Sequence, residues 1–253
     1  MLSSASKHMA RAASSPQIVQ NAVLATLPEA EFALLRAHLR CVPLKRYEIL
    51  QDAGRRPDAA YFIGRGVVSR VARTSKDGSV EVATVGRFGF VGISVVLGTM
   101  QTLQRSVVQV PGTAYRIESG VLQRILLECP AIRDHLLKYV HLLIALEAQI
   151  ALCNAKHEID ERVARWLLLA QDRIGGDLVP VTHGLIASAL GVRRPGVSKA
   201  IATLVASRIV EGSRGQLRIM DMDGLQQSAC ECHRIVRDRF AMFRDMPQHQ
   251  HVL

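Results

Sequence analysis

The segment Val181-Thr-His-Gly-Leu-Ile-Ala-Ser-Ala-Leu-Gly-Val-Arg-Arg-Pro-Gly-Val-Ser-Lys-Ala-Ile-Ala-Thr-Leu204 constrains the fold more than any other. Thr182 is a good helix N-cap, because its hydroxyl can accept a hydrogen bond from a first-turn N–H that has no partner in the helix. Leu185, Ile186, Ala189 and Leu190 then share one helical face. Gly191 supplies the positive φ of a tight exit, and Pro195 suits the first turn of a following helix, where its missing N–H costs nothing. Val197, Ala200, Ile201 and Leu204 form the buried stripe of that second helix. Arg193, Arg194, Ser198 and Lys199 are left on or near its outer face. The pattern is that of a helix-turn-helix, although any helical hairpin with a solvated basic edge would share it.

The next residues narrow the choice. Ile209-Val-Glu-Gly-Ser-Arg-Gly-Gln-Leu-Arg-Ile219 alternates apolar and polar residues about a Gly-Ser-Arg-Gly turn, which predicts a β-hairpin, or wing. Between Thr182 and Ile219 there are six Lys/Arg against one acid, Glu211. Such a local excess of positive charge is the footprint of a phosphate-binding surface. A net charge of +10 over 253 residues also favours a polyanionic partner.

With 49% hydrophobic and 21% charged residues, the chain reads as soluble and long enough for two domains. No uninterrupted run of about 18 apolar residues suggests a membrane span, and the first 15 residues lack the apolar block of a secretory signal, so the expected location is the cytoplasm. Five cysteines without a Cys-x-x-Cys pair argue for reduced thiols rather than a disulfide scaffold or zinc knuckle. Cys230-Glu-Cys232-His233 gathers ligand-type side chains. If that stretch is helical, however, Cys230 and Cys232 point to different sides and cannot share one metal without unwinding, so buried apolar thiols are expected there rather than a metal or redox site.

Residues 1–17 read as a disordered tail, followed by helical spacing from Ile18 to Leu39 with a helix start at Pro28-Glu-Ala-Glu31. Six strand-like runs follow at 47–50, 60–63, 66–72, 79–85, 106–110 and 113–117, separated by turns such as Asp52-Ala-Gly54, Gly64-Arg-Gly66 and Lys76-Asp-Gly78. Their spacing predicts a small β-barrel or jelly roll. Apolar residues then recur from Ile132 through Leu136, Val140, Leu143, Leu146 and Ile150 to Cys153, a stripe that calls for a partner helix. A two-fold pairing through Leu136, Val140, Leu143 and Ile150 is the expected dimer seam; a plain core helix is the alternative. Asp160–Ala170 predicts a further amphipathic helix ended by Gly175-Gly176. The expected organisation is a tail (1–17), a sensing β-barrel (18–130), a dimerisation helix (131–158) and a winged helix-turn-helix (159–245), an α+β chain overall.

A small β-barrel, a long helix and a winged helix-turn-helix in this order resemble the family of the cyclic-AMP receptor protein and the fumarate-nitrate regulator. The likeness extends from about Ile18 to Phe243 and is firmest over Val181–Ile219. It is closest to a proteobacterial branch with Arg214-Gly-x-x-x-Ile219, Asp221-x-x-x-Leu225 and Ala229-Cys-Glu-Cys232. The resemblance implies a cyclic-nucleotide-binding-like barrel whose effector residues correspond to Gly89, Gly92, Arg105 and Ser106. The family cassette also carries a Gly-Glu whose carboxylate accepts the ribose hydroxyl, and Phe88-Gly-Phe-Val-Gly-Ile-Ser94 has the glycines without the glutamate. Losing such a charge-assisted bond costs about 1.5–3 kcal/mol, which disfavours cyclic AMP. The iron-sulfur branch is not supported either, since only Cys41 precedes Cys129.

By the same resemblance, Thr182, Arg193, Arg194, Gly196, Ser198 and Lys199, with Arg214 and Arg218 of the wing, are the candidate DNA contacts. Pro195 replaces the family's frequent glutamate. The resulting expectation is a dimeric, non-enzymatic transcription regulator with no identified cofactor. Its partners would be a palindromic double-stranded operator, RNA polymerase and an unidentified small-molecule effector, and no membrane. The alternative is a small-molecule or haem sensor with weak or vestigial DNA binding, for which His38, His135 and His141 are the candidate ligands.

Overall fold

A computed structural model describes residues 19–73 and 79–245. The expected tail and the Lys76-Asp-Gly78 turn lie outside the described residues. Two short helices, α1 (Ala22–Ala25) and α2 (Glu29–Arg36), lead into the strands β1 (Arg40–Leu44), β2 (Ile49–Gln51), β3 (Ala59–Arg73), β4 (Ser79–Val85), β5 (Phe90–Val91) and β6 (Arg105–Glu118), with α3 (Ile93–Val96) before β6. They form one six-stranded antiparallel sheet with the path β1-β6-β3-β4, β2 adding to β6 and β5 to β3. The expected barrel is therefore a sheet whose pairing path does not close.

Four of the expected strands fuse into two. Gly64-Arg-Gly66 and Pro111-Gly112 are not turns but bulges within β3 and β6, where the register shifts between Ile63 and Val68. Gly66 has φ +91°, and a Cβ there would lie 2.5 Å from the Val110 carbonyl oxygen; one on Gly112 would lie 2.1 Å from that of Arg65. The backbones approach so closely that only glycine fits, and the chain bends without leaving the ladder.

Helix α4 (Ser119–Glu128) precedes α5 (Pro130–Lys156), a helix of 27 residues. By length and a mean hydropathy of 1.6 over its most apolar window, α5 could cross a membrane, but 44% of that window is buried within the chain, as in a core helix. Ile132, Leu136, Tyr139, Val140, Leu143 and Leu146 of α5 join Phe32, Phe62, Phe90, Ile117 and Leu122 in one core. The seam expected at Leu136, Val140 and Leu143 is thus already covered inside the chain, these residues being 0%, 5% and 3% exposed. The apolar face left open lies one step round. Ile144 is 63% and Leu152 50% exposed, and Leu137, His141, Ile144, Ala148, Ala151 and Ala155 follow each other at alternating steps of four and three.

The remaining chain builds a second core. Helix α6 (Ile159–Ile174) opens on a capping box between Glu158 and Glu161 and ends at Gly175 with φ +79°. It is followed by β7 (Leu178–Val179), α7 (His183–Leu190), α8 (Arg194–Ala206), β8 (Val210–Ser213), β9 (Gln216–Ile219), α9 (Met222–Ser228) and α10 (Cys232–Arg244). Val163, Leu167, Ile186, Leu190, Val197, Ile201, Leu204, Leu217 and Ile219 pack together there. The two cores are tied across β4: Trp166 Nε1 donates to Glu81 Oε1 (3.3 Å) and Arg173 Nε to the Thr84 carbonyl (3.1 Å). From the other end of the second unit, α10 returns to α5 and adds Val236 and Phe243 to the first core.

Candidate nucleic-acid interface and effector cavity

The helix-turn-helix forms from local chemistry. The Thr182 hydroxyl accepts from Leu185 N–H (3.2 Å), Gly191 turns the chain at φ +64°, and Pro195 stands in the first turn of α8. Val197, Ala200, Ile201 and Leu204 are all buried. With that face turned inward, Arg193, Arg194 and Lys199 project into solvent, and none forms an ion pair among the described residues. The wing is β8 and β9, paired Val210 with Ile219 through Ser213 with Gln216, with β7 as a third strand. Gly215, at φ +79°, makes its turn and leaves Arg214 exposed at the tip.

Four of the expected DNA contacts have tasks inside the chain. Thr182 is the cap just described. Gly196 keeps α8 close to α6, since a Cβ there would stand 3.2 Å from Ile159 Cδ1. Ser198 Oγ is 3.0 Å from His183 Nδ1, a bond that joins the start of α7 to α8. Arg218 Nη1 donates to Asp177 Oδ2 (2.8 Å), so its charge is matched by an acid at the base of the wing. Of the expected contacts, Arg193, Arg194, Lys199 and Arg214 are the cations without an ion pair among the described residues.

The expected effector residues separate likewise. Gly89 is a packing site: a Cβ there would fall 2.0 Å from Tyr139 Oη, on a ring that is 2% exposed. Arg105 forms a two-pronged ion pair with Asp52, Nε to Oδ1 at 2.8 Å and Nη2 to Oδ2 at 3.1 Å. The arginine holds the Asp52 carboxyl below its ordinary pKa, and Asp52 holds the guanidinium above its own. Gly92 and Ser106 do face a cavity, of about 130 Å³, together with Gln51, Ser94, Gln104 and Arg70. Its cation is Arg70, which the strand pairing sets opposite Ser106 and which no local sequence pattern marks. One Arg70 nitrogen donates to Gln104 Oε1 and another to Glu147 Oε1 of α5.

Of the three histidines weighed as haem ligands, His38 is exposed and His135 is engaged. Burial lowers the His135 pKa, and its Nε2 lies 2.8 Å from the Val23 carbonyl and 3.1 Å from Thr26 Oγ1. His141 lines an open groove of about 750 Å³ between α5 and α10. The expectation for Cys230 and Cys232 needs correction. Helix α10 begins only at Cys232, and Cys230 lies in the connection from α9, so the two thiols do not diverge as they would on one helix. Both are buried beside Cys153.

Residues 161–228 match the family described as the Crp-like helix-turn-helix domain. The whole fold is similar to that of FixK2 from Bradyrhizobium japonicum (TM-score 0.65, 16% identity, 76% of this chain and 98% of that one). It is also similar to the c-di-GMP responsive global regulator CLP of Xanthomonas campestris (0.62, 15%, 76% and 99%). A putative cAMP-binding regulatory protein from Silicibacter pomeroyi gives 0.60 at 22% identity, over 83% and 98%. No curated protein matches by sequence.

Proposed function

We propose that this chain, a Crp/Fnr-type fold carrying a Crp-like helix-turn-helix, works as a dimeric, effector-controlled transcription regulator that reads a palindromic DNA site. The observation that carries the reading is the division of labour on α8: a buried apolar stripe on one side, and, exposed and without an ion pair among the described residues, Arg193 and Arg194 at its start and Lys199 on the side away from the stripe. A helix held rigidly from behind and basic in front fits the major groove, where Arg and Lys donate to guanine O6 and N7. Arg214 at the wing tip suits an adjacent phosphate.

The second copy would dock along the open face of α5 through Leu137, Ile144, Ala148 and Ala151. Alternating steps of four and three keep such a seam facing its partner, and the alanines let the helix axes approach. Two recognition helices could then meet half-sites about 34 Å apart.

Effector control would enter through Arg70. Its guanidinium borders the small cavity and also holds Glu147 of α5, so an anionic ligand there competes with the helix for the same cation. The cavity is well below the ~300–1,000 Å³ usual for ligand sites, which favours a compact anion or an opening of the wall formed by α3 and residues 99–104. A ligand shifts the arrangement of the two α5 helices only as far as its affinity differs between arrangements.

The test is selection of duplex DNA from a randomised library by the full chain, followed by titration of Arg194→Ala on the selected site. A two-fold symmetric consensus is expected, with preference relaxed at one base pair per half-site and about 1–3 kcal/mol lost. Enrichment of no sequence would refute the reading.

A further inference from the structure

Three elements far apart in sequence bring four metal-ligand side chains together. Cys153 and His157 stand four residues apart at the end of α5, Cys230 lies in the connection after α9, and Cys232 opens α10. The three sulfurs and one imidazole nitrogen all lie within 4.8 Å of one another. Cys153 Sγ is 3.4 Å from Cys230 Sγ, and Cys232 Sγ is 3.5 Å from His157 Nδ1. For comparison, thiolates ~2.3 Å from a tetrahedral zinc stand about 3.8 Å apart. The shortest spacings would open by a few tenths of an ångström, and the widest, up to 4.8 Å, would close by about 1 Å. We propose that Cys153, His157, Cys230 and Cys232 bind a single zinc-class ion in a closed tetrahedral Cys3His site.

The donor set selects the ion. Three thiolates and an imidazole suit zinc and disfavour magnesium or calcium, which take oxygen ligands. All four positions are filled by the protein, so the site leaves no place for a reacting water. Loading would release the thiol protons to solvent and leave the metal with its three thiolates at a net charge of −1.

The surroundings carry two independent marks of such a site. Gln149 Nε2 donates to Cys232 Sγ (3.1 Å), the outer-shell bond that orients a ligating sulfur. Arg162 and Arg165 of α6 are buried, 7% and 3% exposed; Arg162 Nη2 donates to the Leu190 carbonyl (2.6 Å), but among the described residues neither Nε finds a hydrogen-bond partner and neither side chain forms an ion pair. Both lie near enough to Cys153 or Cys230 for charges to interact. A buried guanidinium without a counter-charge is costly, and an anionic metal-thiolate centre supplies one.

The position has a mechanical consequence. His157 is the residue at which α5 ends, two before α6 begins, so the ion would fasten the joint between the long helix and the DNA-binding unit to the start of α10. The inference does not depend on the DNA reading, since metal binding is measured directly.

The experiment is a titration of the full chain with Co2+ after purification under reducing conditions and removal of bound metal, followed by displacement with Zn2+. Expected is one equivalent per chain, with thiolate-to-cobalt charge-transfer absorption and the intense d–d bands of a tetrahedral ion. Cys41→Ser and Cys129→Ser should bind like the parent. Gln149→Leu should weaken binding about 10–100-fold, and Cys232→Ser by more. His157→Asn, at a half-buried position, serves as the ligand variant should a buried cysteine variant fail to fold, and it should weaken binding and shift the d–d bands as oxygen replaces nitrogen. Absence of that spectrum in the parent, or band positions and affinity unchanged in His157→Asn, overturns the assignment. So does a Cys153–Cys230 disulfide in protein isolated anaerobically.

Discussion

Arg214→Ala at the wing tip separates a phosphate contact from a base contact by its response to salt. Each phosphate neutralised on B-DNA contributes about 0.9 to the slope of log affinity against log salt. The proposed dimer would lose two such contacts in this variant, so the slope should flatten by about 1.8. Between about 50 and 200 mM salt, a fourfold change, the parent's advantage should therefore shrink about twelvefold. Because Arg214 is exposed and forms no ion pair among the described residues, its removal leaves no uncompensated partner to confuse the reading. Arg218 would not serve, since its loss would expose the negative charge of Asp177. The assay is fluorescence anisotropy on the selected operator and on a scrambled duplex at several salt concentrations. Flattening on both duplexes is expected. Parallel salt lines, or a loss confined to the operator, would refute the phosphate assignment.

Three further changes probe the scaffold. Ile144→Glu alters a side chain that is 63% exposed in the single chain, so light scattering should report monomers with a nearly unchanged melting temperature; a surviving dimer would put the seam on another face. Leu143→Asp, at a position only 3% exposed, should instead lower the melting temperature sharply, since an unpaired carboxylate cannot be buried cheaply. Gly89→Ala forces a methyl to within 2.0 Å of Tyr139 Oη and should destabilise the chain by about 1–3 kcal/mol in denaturant unfolding, the usual cost of overpacking; unchanged stability would mean that the ring can move away.

How much the sequence disclosed follows the range of the interactions involved. The helix-turn-helix was legible because its determinants are neighbours: the cap at Thr182, the turn at Gly191 and the stripe from Val197 to Leu204 act within one or two helical turns. The strands were legible as runs, but Gly64–Gly66 and Pro111–Gly112 carry the residues of a turn. Only the facing strand, some 46 residues away, makes them bulges. On α5 the sequence gives two apolar stripes, Leu136-Val140-Leu143 and Leu137-Ile144-Ala148, that differ by one position. Which of them is core is decided by what packs there, including Val236 and Phe243 of α10. The cysteine cluster was hidden for the same reason twice over. Cys153 and His157 are about 75 residues from Cys230 and Cys232, and the geometry of the latter pair depends on α10 starting at residue 232 rather than two residues earlier. Had α10 begun at Cys230, the two sulfurs would sit two positions apart on one helix and diverge. The start of one helix therefore decides whether four scattered residues come together, a placement that depends on α10 packing against α5 and α6 and not on any signal within 229–233.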